Sequence, residues 1–228
     1  MENKNYNKAL YEYLSGFITE NRLGKFQENI QYRTRYITIV LEDIFQPHNA
    51  SAVLRSADCL GIQDIHIIEN ENKYHVNPDV ALGSSKWLTL IQYNKKNNNT
   101  QECILKLKKQ GYKIIATSSH ENDYNIDELL LDNKIALFFG TELHGLSPEV
   151  INNADSFVKI PMHGFTESFN ISVSAAICMY SLTSRLRDSQ IKWQLTETEK
   201  NDILVEWLKN SIKSSELIEA DFKKKSVL

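Results

Sequence analysis

Six short apolar runs alternate with helical patterns along the middle of this chain, and that alternation restricts the possible folds more than any other feature. The runs are YITIVL at 36–41, IHII at 65–68, WLTLI at 87–91, KIIAT at 113–117, IALFF at 135–139 and FVKI at 157–160. Residues 49–60, 100–110 and 169–187 have the apolar spacing of helices, and the last of these is apolar enough to predict a buried helix. Strands that alternate with helices pair in parallel, so the sequence predicts an α/β fold with a parallel sheet.

The segments that flank this core have a different composition. They are rich in charged and amide side chains, and residues 6–18 and 196–210 within them have helical patterns. We therefore predict an N-terminal helical extension at 1–35, an α/β domain at 36–187 and a C-terminal helical extension at 188–228. The polar stretches KKNNN at 95–99 and ENDYN at 121–125 predict surface loops.

Composition narrows the class of protein without naming a partner. With 228 residues, of which 42% are hydrophobic, the chain can bury a substantial core. The formal net charge of −3 means that a nucleic-acid surface would need its lysines and arginines clustered on one face. No apolar run approaches the roughly 20 residues that span a bilayer, and the sequence MENKNYNKAL at the N-terminus lacks the apolar part of a signal peptide. We expect a cytoplasmic protein with no membrane partner.

The sequence lacks the motifs that mark several common kinds of functional site. Cys59, Cys103 and Cys178 are scattered and odd in number, which fits a reduced compartment, and we interpret them as small buried hydrophobes. The six histidines have no recognised metal-ligand spacing, so we predict no metal site. The sequence also lacks the glycine-rich and serine motifs GxGxxG, GxxxxGK[ST] and GxSxG, which disfavours dehydrogenases, nucleotide-phosphate sites and many hydrolases.

The segment PHNASAVLRSADCLG at 47–61 contains a helix with two distinct faces. Its apolar side chains recur at helical spacing and form one stripe, and Arg55 projects from the opposite side. That arginine is either a solvated helix residue or a guanidinium that engages a second surface, such as a phosphate or a partner subunit. Asn49 follows Pro47 and His48, and its simplest interpretation is a helix cap.

The segment FFGTELHGLSPE at 138–149 follows an apolar strand with two glycines. Gly140 and Gly145 permit a close approach of a ligand to bare main chain, near Glu142. An ordinary strand-to-helix turn, with Pro148 opening the next helix, explains the glycines equally well.

The segment IPMHGFTESFNISVSAA at 160–176 joins a strand to the apolar helix. Ser168 and Asn170 stand at the helix start, where free N–H groups and the positive end of the helix dipole offer an electropositive niche. Capping explains Ser168 taken alone. The crowding of Glu167, Ser168 and Asn170 at one helix start is harder to explain by capping.

In this order and spacing, the three segments resemble the SpoU (TrmH) family of RNA ribose 2'-O-methyltransferases within the SPOUT superfamily. The resemblance covers about residues 35–187, and PHNASAVLRSAD, FFGTELHGLSPE and IPMHGFTESFNISVSAA match the family's three motifs in turn. The form of the first motif and the short helical flanks are most similar to the branch that methylates guanosine 18 in the tRNA D-loop. An rRNA methyltransferase and a catalytically silent RNA-binding protein on the same scaffold are the alternatives.

The resemblance implies a fold that ordinary connection rules disfavour. It implies a parallel-sheet SPOUT methyltransferase fold whose C-terminal part forms a trefoil knot, and the knot would build the pocket for S-adenosyl-L-methionine. It also implies a homodimer in which each active site takes residues from both subunits. The second surface that Arg55 needs would then be the partner's cofactor site.

The resemblance also implies roles for individual residues. Four would line the cofactor pocket, largely through main-chain and apolar contacts: Thr117, Gly140, Ile160 and Phe169. Five would form the catalytic site, with Asn49 and Arg55 at the RNA ribose and phosphate and the others shaping the site: Arg55, Asn49, Glu142, Ser168 and Asn170. Our hypothesis is that Arg55, assisted by an RNA phosphate, accepts or relays the proton of the 2'-hydroxyl; the alternative is that it only positions the phosphate and ribose. The family commonly has leucine where Phe169 stands, which alters the shape of the adenine slot. The terminal helices, including Lys223, Lys224 and Lys225, either contact RNA or pack with their lysines solvated.

Overall fold

The computed structural model of the chain describes residues 2–44, 46–74, 81, 83–96, 98–118 and 124–226. These residues divide into two compact units. One unit is Thr34–Trp193, and the other combines the two ends of the chain, Met1–Arg33 and Gln194–Leu228.

The unit Thr34–Trp193 is built on a seven-stranded sheet. Its strands are β1 (Ile37–Glu42), β2 (Asp64–Ile68), β3 (Thr89–Tyr93), β4 (Tyr112–Thr117), β5 (Tyr124–Asn125), β6 (Lys134–Phe139) and β7 (Ser156–Lys159). The spatial order is β3-β2-β1-β6-β4-β7-β5, and every pairing among the described strands is parallel. All six predicted strands and the parallel α/β class are confirmed, although β3 begins two residues later than predicted.

One short strand lies where the sequence predicted a loop. Residues 124–125 of the polar stretch at 121–125 form β5, which pairs with β7 through Tyr124 and Val158. The rest of that stretch, 121–123, lies outside the described residues. A two-residue strand is too short to produce an alternating pattern, so local composition could not reveal it.

The helices also agree closely with the sequence patterns. They are α1 (Glu2–Ser15), α2 (Glu20–Asn29), α3 (Pro47–Cys59), α4 (Asn99–Lys109), α5 (Pro148–Asn153), α6 (Ile171–Arg187), α7 (Glu197–Ser211) and α8 (Ser215–Ser226). The five predicted helices are confirmed with shifts of a few residues at their ends. In the part of the chain that the structure describes, no helix has the length and apolar content needed to span a bilayer.

Helices cover both faces of the sheet. On one face α3 and α6 pack together, and the stripe predicted for α3 is buried there through Ala50, Val53, Leu54 and Ala57. On the other face α4 and α5 cover β4 and β6. All six residues of β1 are buried because this central strand has a helical layer on each side.

Two expectations about burial are wrong. The first concerns helix α6, which is only partly buried, since Val173 is 44% and Tyr180 is 66% exposed on its outer face.

The second concerns the three cysteines, which were all expected to be buried. Cys103 and Cys178 are buried, and burial raises the pKa of the Cys178 thiol to about 12. Cys59 is exposed, because it lies one helical turn beyond Arg55 on the solvent-facing side of α3.

In the terminal unit, α1 and α2 from the start of the chain belong to the same unit as α7 and α8 from its end. Phe26 packs edge-to-face on Trp207, with ring centroids 5.5 Å apart. Two of the three consecutive lysines near the C-terminus have carboxylate partners: Lys223 lies 3.1 Å from Glu219, and Lys225 lies 2.6 Å from Asp221. These ion pairs reduce the positive charge that the tail presents to solvent.

His66 on β2 makes the stability of the fold depend on pH. The ring is buried and its Nδ1 lies 2.9 Å from the Tyr93 hydroxyl; burial, with a smaller effect of Lys106, lowers the pKa of His66 to about 3. The folded protein keeps the ring neutral, whereas the unfolded chain takes up a proton below pH about 6.5. The free energy of unfolding should therefore fall as the pH decreases from about 6.5 toward 3, by up to about 1.4 kcal/mol per pH unit from this residue.

Urea unfolding of the wild type and of His66→Asn across this pH range measures that contribution. The variant should be less stable at neutral pH but should show a shallower pH dependence. The matched control is His163→Asn, which alters an exposed histidine and should keep the wild-type slope. Equal slopes for wild type and His66→Asn would contradict the assignment.

Candidate active site

A cavity of about 700 Å³ lies at the carboxyl ends of β4, β6 and β7. Its walls come from residues 117–118 after β4, 139–146 after β6, 158–162 near the end of β7 and 167–171 at the start of α6, with further contacts from inside α5 and α6. The carboxyl edge is the usual ligand-binding edge of a parallel sheet, and this volume suits a small molecule.

Bare main chain forms the wall of the cavity after β6. The backbones of Thr141 and Gly145 exchange two hydrogen bonds of 2.9 Å, and Gly145 has a φ of +66°. A Cβ atom on Gly140 would lie 2.0 Å from the Gly145 carbonyl oxygen. Gly140 is therefore required by the close approach of two backbone segments, and the turn continues into α5, where Ser147 caps the helix and Pro148 begins it.

Glu42 anchors the end of this turn, although no sequence motif pointed to it. Its carboxylate is 2% exposed at the end of β1 and accepts hydrogen bonds from the Ser147 backbone N–H (2.8 Å), the Ser147 hydroxyl (2.7 Å) and the Thr100 hydroxyl (2.7 Å). The only available signal was an acidic residue that ends an apolar strand. Its partners lie 58 and 105 residues away in sequence.

Asn49, Glu142 and Asn170 bring the three sequence segments together at the cavity. Glu142 Oε1 accepts from Asn49 Nδ2 at 2.9 Å and from Asn170 Nδ2 at 3.0 Å. Asn170 Nδ2 also lies 3.1 Å from Asn49 Oδ1. One carboxylate oxygen therefore fixes the relative positions of α3, the turn after β6 and the start of α6.

The capping interpretations of Asn49 and Ser168 are wrong. Helix α3 begins at Pro47 with Gln46 in the cap position, so Asn49 lies inside the first turn and is only 3% exposed. The cap of α6 is Asn170, whose Oδ1 accepts from the Ser172 N–H at 2.9 Å. Ser168 instead lines the cavity.

Seven of the nine predicted site residues lie on this one cavity. They are Thr117, Gly140, Glu142, Ile160, Ser168, Phe169 and Asn170. The Thr117 hydroxyl donates to the Phe138 carbonyl at 2.7 Å, so that side chain joins β4 to β6. Phe169 is 43% exposed at the cavity edge. Asn49 adjoins the cavity through Glu142 and Asn170.

Arg55 lies elsewhere. It is exposed on the outer face of α3 and is not among the described residues that line the cavity. Within the described parts of the chain, no hydrogen bond or ion pair engages its guanidinium. The sequence left open whether this arginine is solvated or engages a second surface, and one chain alone leaves it solvated.

Comparison with known proteins points to one family. Residues 36–180 match the family model described as the SpoU rRNA Methylase family. The tRNA (guanosine(18)-2'-O)-methyltransferase of Borreliella burgdorferi is 48% identical over 206 residues, which cover 90% of this chain and 93% of that protein.

Solved structures agree in fold. The A. aeolicus TrmH/SpoU tRNA modifying enzyme superposes with a TM-score of 0.76 at 27% identity, over 86% of this chain and 98% of that one. The SpoU methyltransferase AviRb from Streptomyces viridochromogenes, solved in complex with AdoMet, has a TM-score of 0.60 at 20% identity, over 71% of this chain and 65% of that one. The parallel α/β scaffold is therefore shared with SpoU enzymes, while the trefoil knot stays a prediction.

The backbone contact at Gly140 gives a direct test of how this wall is built. Gly140→Ala should lower the free energy of unfolding by about 1–3 kcal/mol, because the added methyl group meets main-chain atoms that cannot rotate away. Gly164→Ala is the matched control, since its Cβ would have no neighbour closer than 3.9 Å. Urea denaturation measures both, and equal stability of the two variants would show that the turn can relax around a side chain.

Proposed function

Because this chain belongs to the SpoU methylase family, we propose that it is an S-adenosyl-L-methionine-dependent enzyme that methylates the ribose 2'-hydroxyl of guanosine 18 in tRNA. The observation that carries this proposal is the meeting of three distant sequence segments on one carboxylate at the cavity. A relative that is 48% identical over nine-tenths of the chain has this activity in its name. A tRNA substrate and unpaired cysteines favour the cytoplasm as the site of action.

The cavity fits the cofactor in size and in the chemistry of its walls. Its volume is within the range of small-molecule sites. Gly140 and Gly145 line the cavity without side chains, so main-chain groups face the space directly there. Ile160 and Phe169 supply apolar surface beside them, which suits an adenine ring and a thioether chain. When bound, the cofactor supplies an electrophilic methyl group on a positively charged sulfur.

The residues of the chain orient the substrate and manage its charges. Asn49 and Asn170 hold Glu142 at the edge of the cavity, and Ser168 adds a hydroxyl there. Arg55 carries a guanidinium cation, whose fork of N–H donors suits it to hold an RNA phosphate. We therefore assign Arg55 to positioning the ribose and phosphate.

A homodimer would bring Arg55 to an active site. Arg55 is exposed on α3, and the neighbouring helix α6 exposes Val173 and Tyr180 on its outer face, with the half-buried Ile177 between them at helical spacing. An apolar stripe of this kind favours a protein partner. If two copies pair through these helices, the Arg55 of each can face the cavity of the other.

Two alternative functions are an rRNA methyltransferase and a catalytically silent RNA-binding protein, and one methyl-transfer assay tests both. The name of the matching family model refers to rRNA, which supports an rRNA substrate as the second candidate. The joint presence of all five predicted catalytic residues disfavours a catalytically silent RNA-binding protein, because such a protein would be free to lose them; they are Asn49, Arg55, Glu142, Ser168 and Asn170.

Transfer of a labelled methyl group should occur to a tRNA transcript and not to rRNA fragments. A tRNA with 2'-deoxyguanosine at position 18 is the sharpest control, since it lacks only the acceptor hydroxyl and should gain no label. Label on rRNA alone would support the second candidate, and label on neither RNA would support the silent one.

Replacement of Arg55 tests its positioning role. Arg55→Ala should lower the methyl-transfer rate by more than about a hundredfold, because the reaction loses an essential orienting group. The cofactor affinity of this variant, measured by calorimetry, should stay near that of the wild type. Arg55→Lys should recover part of the rate, because it retains the charge without the fork. Lys192→Ala, which removes another exposed cation, is the control. Near-normal turnover by Arg55→Ala would refute the assignment.

Mixed dimers test whether Arg55 acts on the partner's cavity. We expect Arg55→Ala and Asn170→Ala to be nearly inactive when each is alone. After mixing and exchange of subunits, the mixed dimer holds one site with an intact cavity and an intact arginine, so about a quarter of wild-type activity should return. If Arg55 served its own chain, every site in the mixture would carry one defect and no activity would return.

A further inference from the structure

The two carboxylate oxygens of Glu142 have different surroundings. Oε1 accepts hydrogen bonds from both Asn49 and Asn170, at 2.9 and 3.0 Å. Within the residues that the structure describes, no hydrogen-bond donor reaches Oε2. The side chain is exposed and lines the cavity, so Oε2 is an acceptor held in a fixed place and open to a ligand.

Other polar groups of the cavity are less suited to accept a proton. The Thr117 hydroxyl is already used as a donor to the Phe138 carbonyl, and Ser168 is a weakly basic hydroxyl. His144 and Glu167 also line the cavity, but no hydrogen bond from the described residues holds either side chain in place. A general base must be positioned before it can be effective. Glu142 is held by two amides from two different segments.

We propose that Glu142 Oε2 accepts the proton of the ribose 2'-hydroxyl during methyl transfer. This inference rests on the proposed function. The 2'-oxygen forms a bond to the methyl carbon, the carbon–sulfur bond breaks with its electron pair remaining on sulfur, and the O–H proton passes to Glu142. The resulting carboxylic acid returns its proton to water when the products leave.

A carboxylate is basic enough for this step. The hydroxyl oxygen becomes positively charged as its new bond to carbon forms, so its proton becomes strongly acidic at that moment. The acceptor does not have to ionise a free hydroxyl; it only has to lie within hydrogen-bond reach of the proton as it is released. The guanidinium of Arg55 has N–H donors and no acceptor, which leaves it the role of holding phosphate.

The Glu142→Gln variant separates proton transfer from structure. Its carbonyl oxygen can accept the hydrogen bonds of Asn49 and Asn170 as Oε1 does, while an amide nitrogen replaces Oε2. We expect the single-turnover rate on tRNA to fall by about a hundredfold or more. The affinities for S-adenosylhomocysteine and for tRNA, measured by calorimetry, should change by less than about threefold. Glu71→Gln removes an exposed carboxylate outside the cavity lining and should retain the wild-type rate.

The pH profile provides a second readout. In the wild type, the single-turnover rate should rise with pH at the acidic end and then level off, since only the ionised carboxylate accepts a proton. This acidic limb should be absent from Glu142→Gln and present in Glu167→Gln and His144→Gln.

Three results would overturn the inference. They are a near-normal rate in Glu142→Gln, an acidic limb that persists in this variant, and a loss of cofactor or tRNA affinity that accounts for the loss of rate. A wild-type protein that methylates no RNA would instead refute the proposed function, and the role of Glu142 with it.

Discussion

The site depends on one shared acceptor, the Oε1 atom of Glu142. Two amide groups that lie 93 and 28 residues away in the chain converge on it. Each comes from a different structural setting, since Asn49 is buried in the first turn of α3 and Asn170 caps α6. A hydrogen bond to a charged group is stronger than one between neutral groups, so this carboxylate is well suited to fix three chain segments at one point.

The turn that presents Glu142 is itself held from two sides. At its start, Gly140 lies against the Gly145 carbonyl with no room for a side chain. At its end, Ser147 is bound through both its N–H and its hydroxyl to the buried Glu42. Between these supports residues 142–145 are exposed, so the cavity combines a fixed backbone with side chains that can contact ligands.

Sequence patterns predicted the scaffold better than the contacts within the site. The six strands were recognisable because parallel strands buried on both faces are continuous apolar runs, and α3 because its buried stripe repeats at helical spacing. Asn49 was misinterpreted as a cap, since capping is a local signal and its actual partners belong to distant segments. Glu42 was missed for the same reason. The resemblance to known motifs singled out Asn49, Glu142 and Asn170, and only the structure reveals that both amides donate to one oxygen of Glu142.

The ion pairs of the C-terminal helix also affect how the protein would respond to a polyanion. Lys223 and Lys225 are paired with Glu219 and Asp221, and hydrogen bonds from Lys209 and Lys223 lower the pKa of Glu219 to about 2. The helix thus carries its own counterions as part of the chain. A nucleic acid that reached these lysines would have to displace tethered carboxylates, which stay attached to the protein after exchange. Fewer small ions would be released on binding, so the gain in entropy would be limited. The three consecutive lysines should therefore attract RNA less strongly than their number suggests.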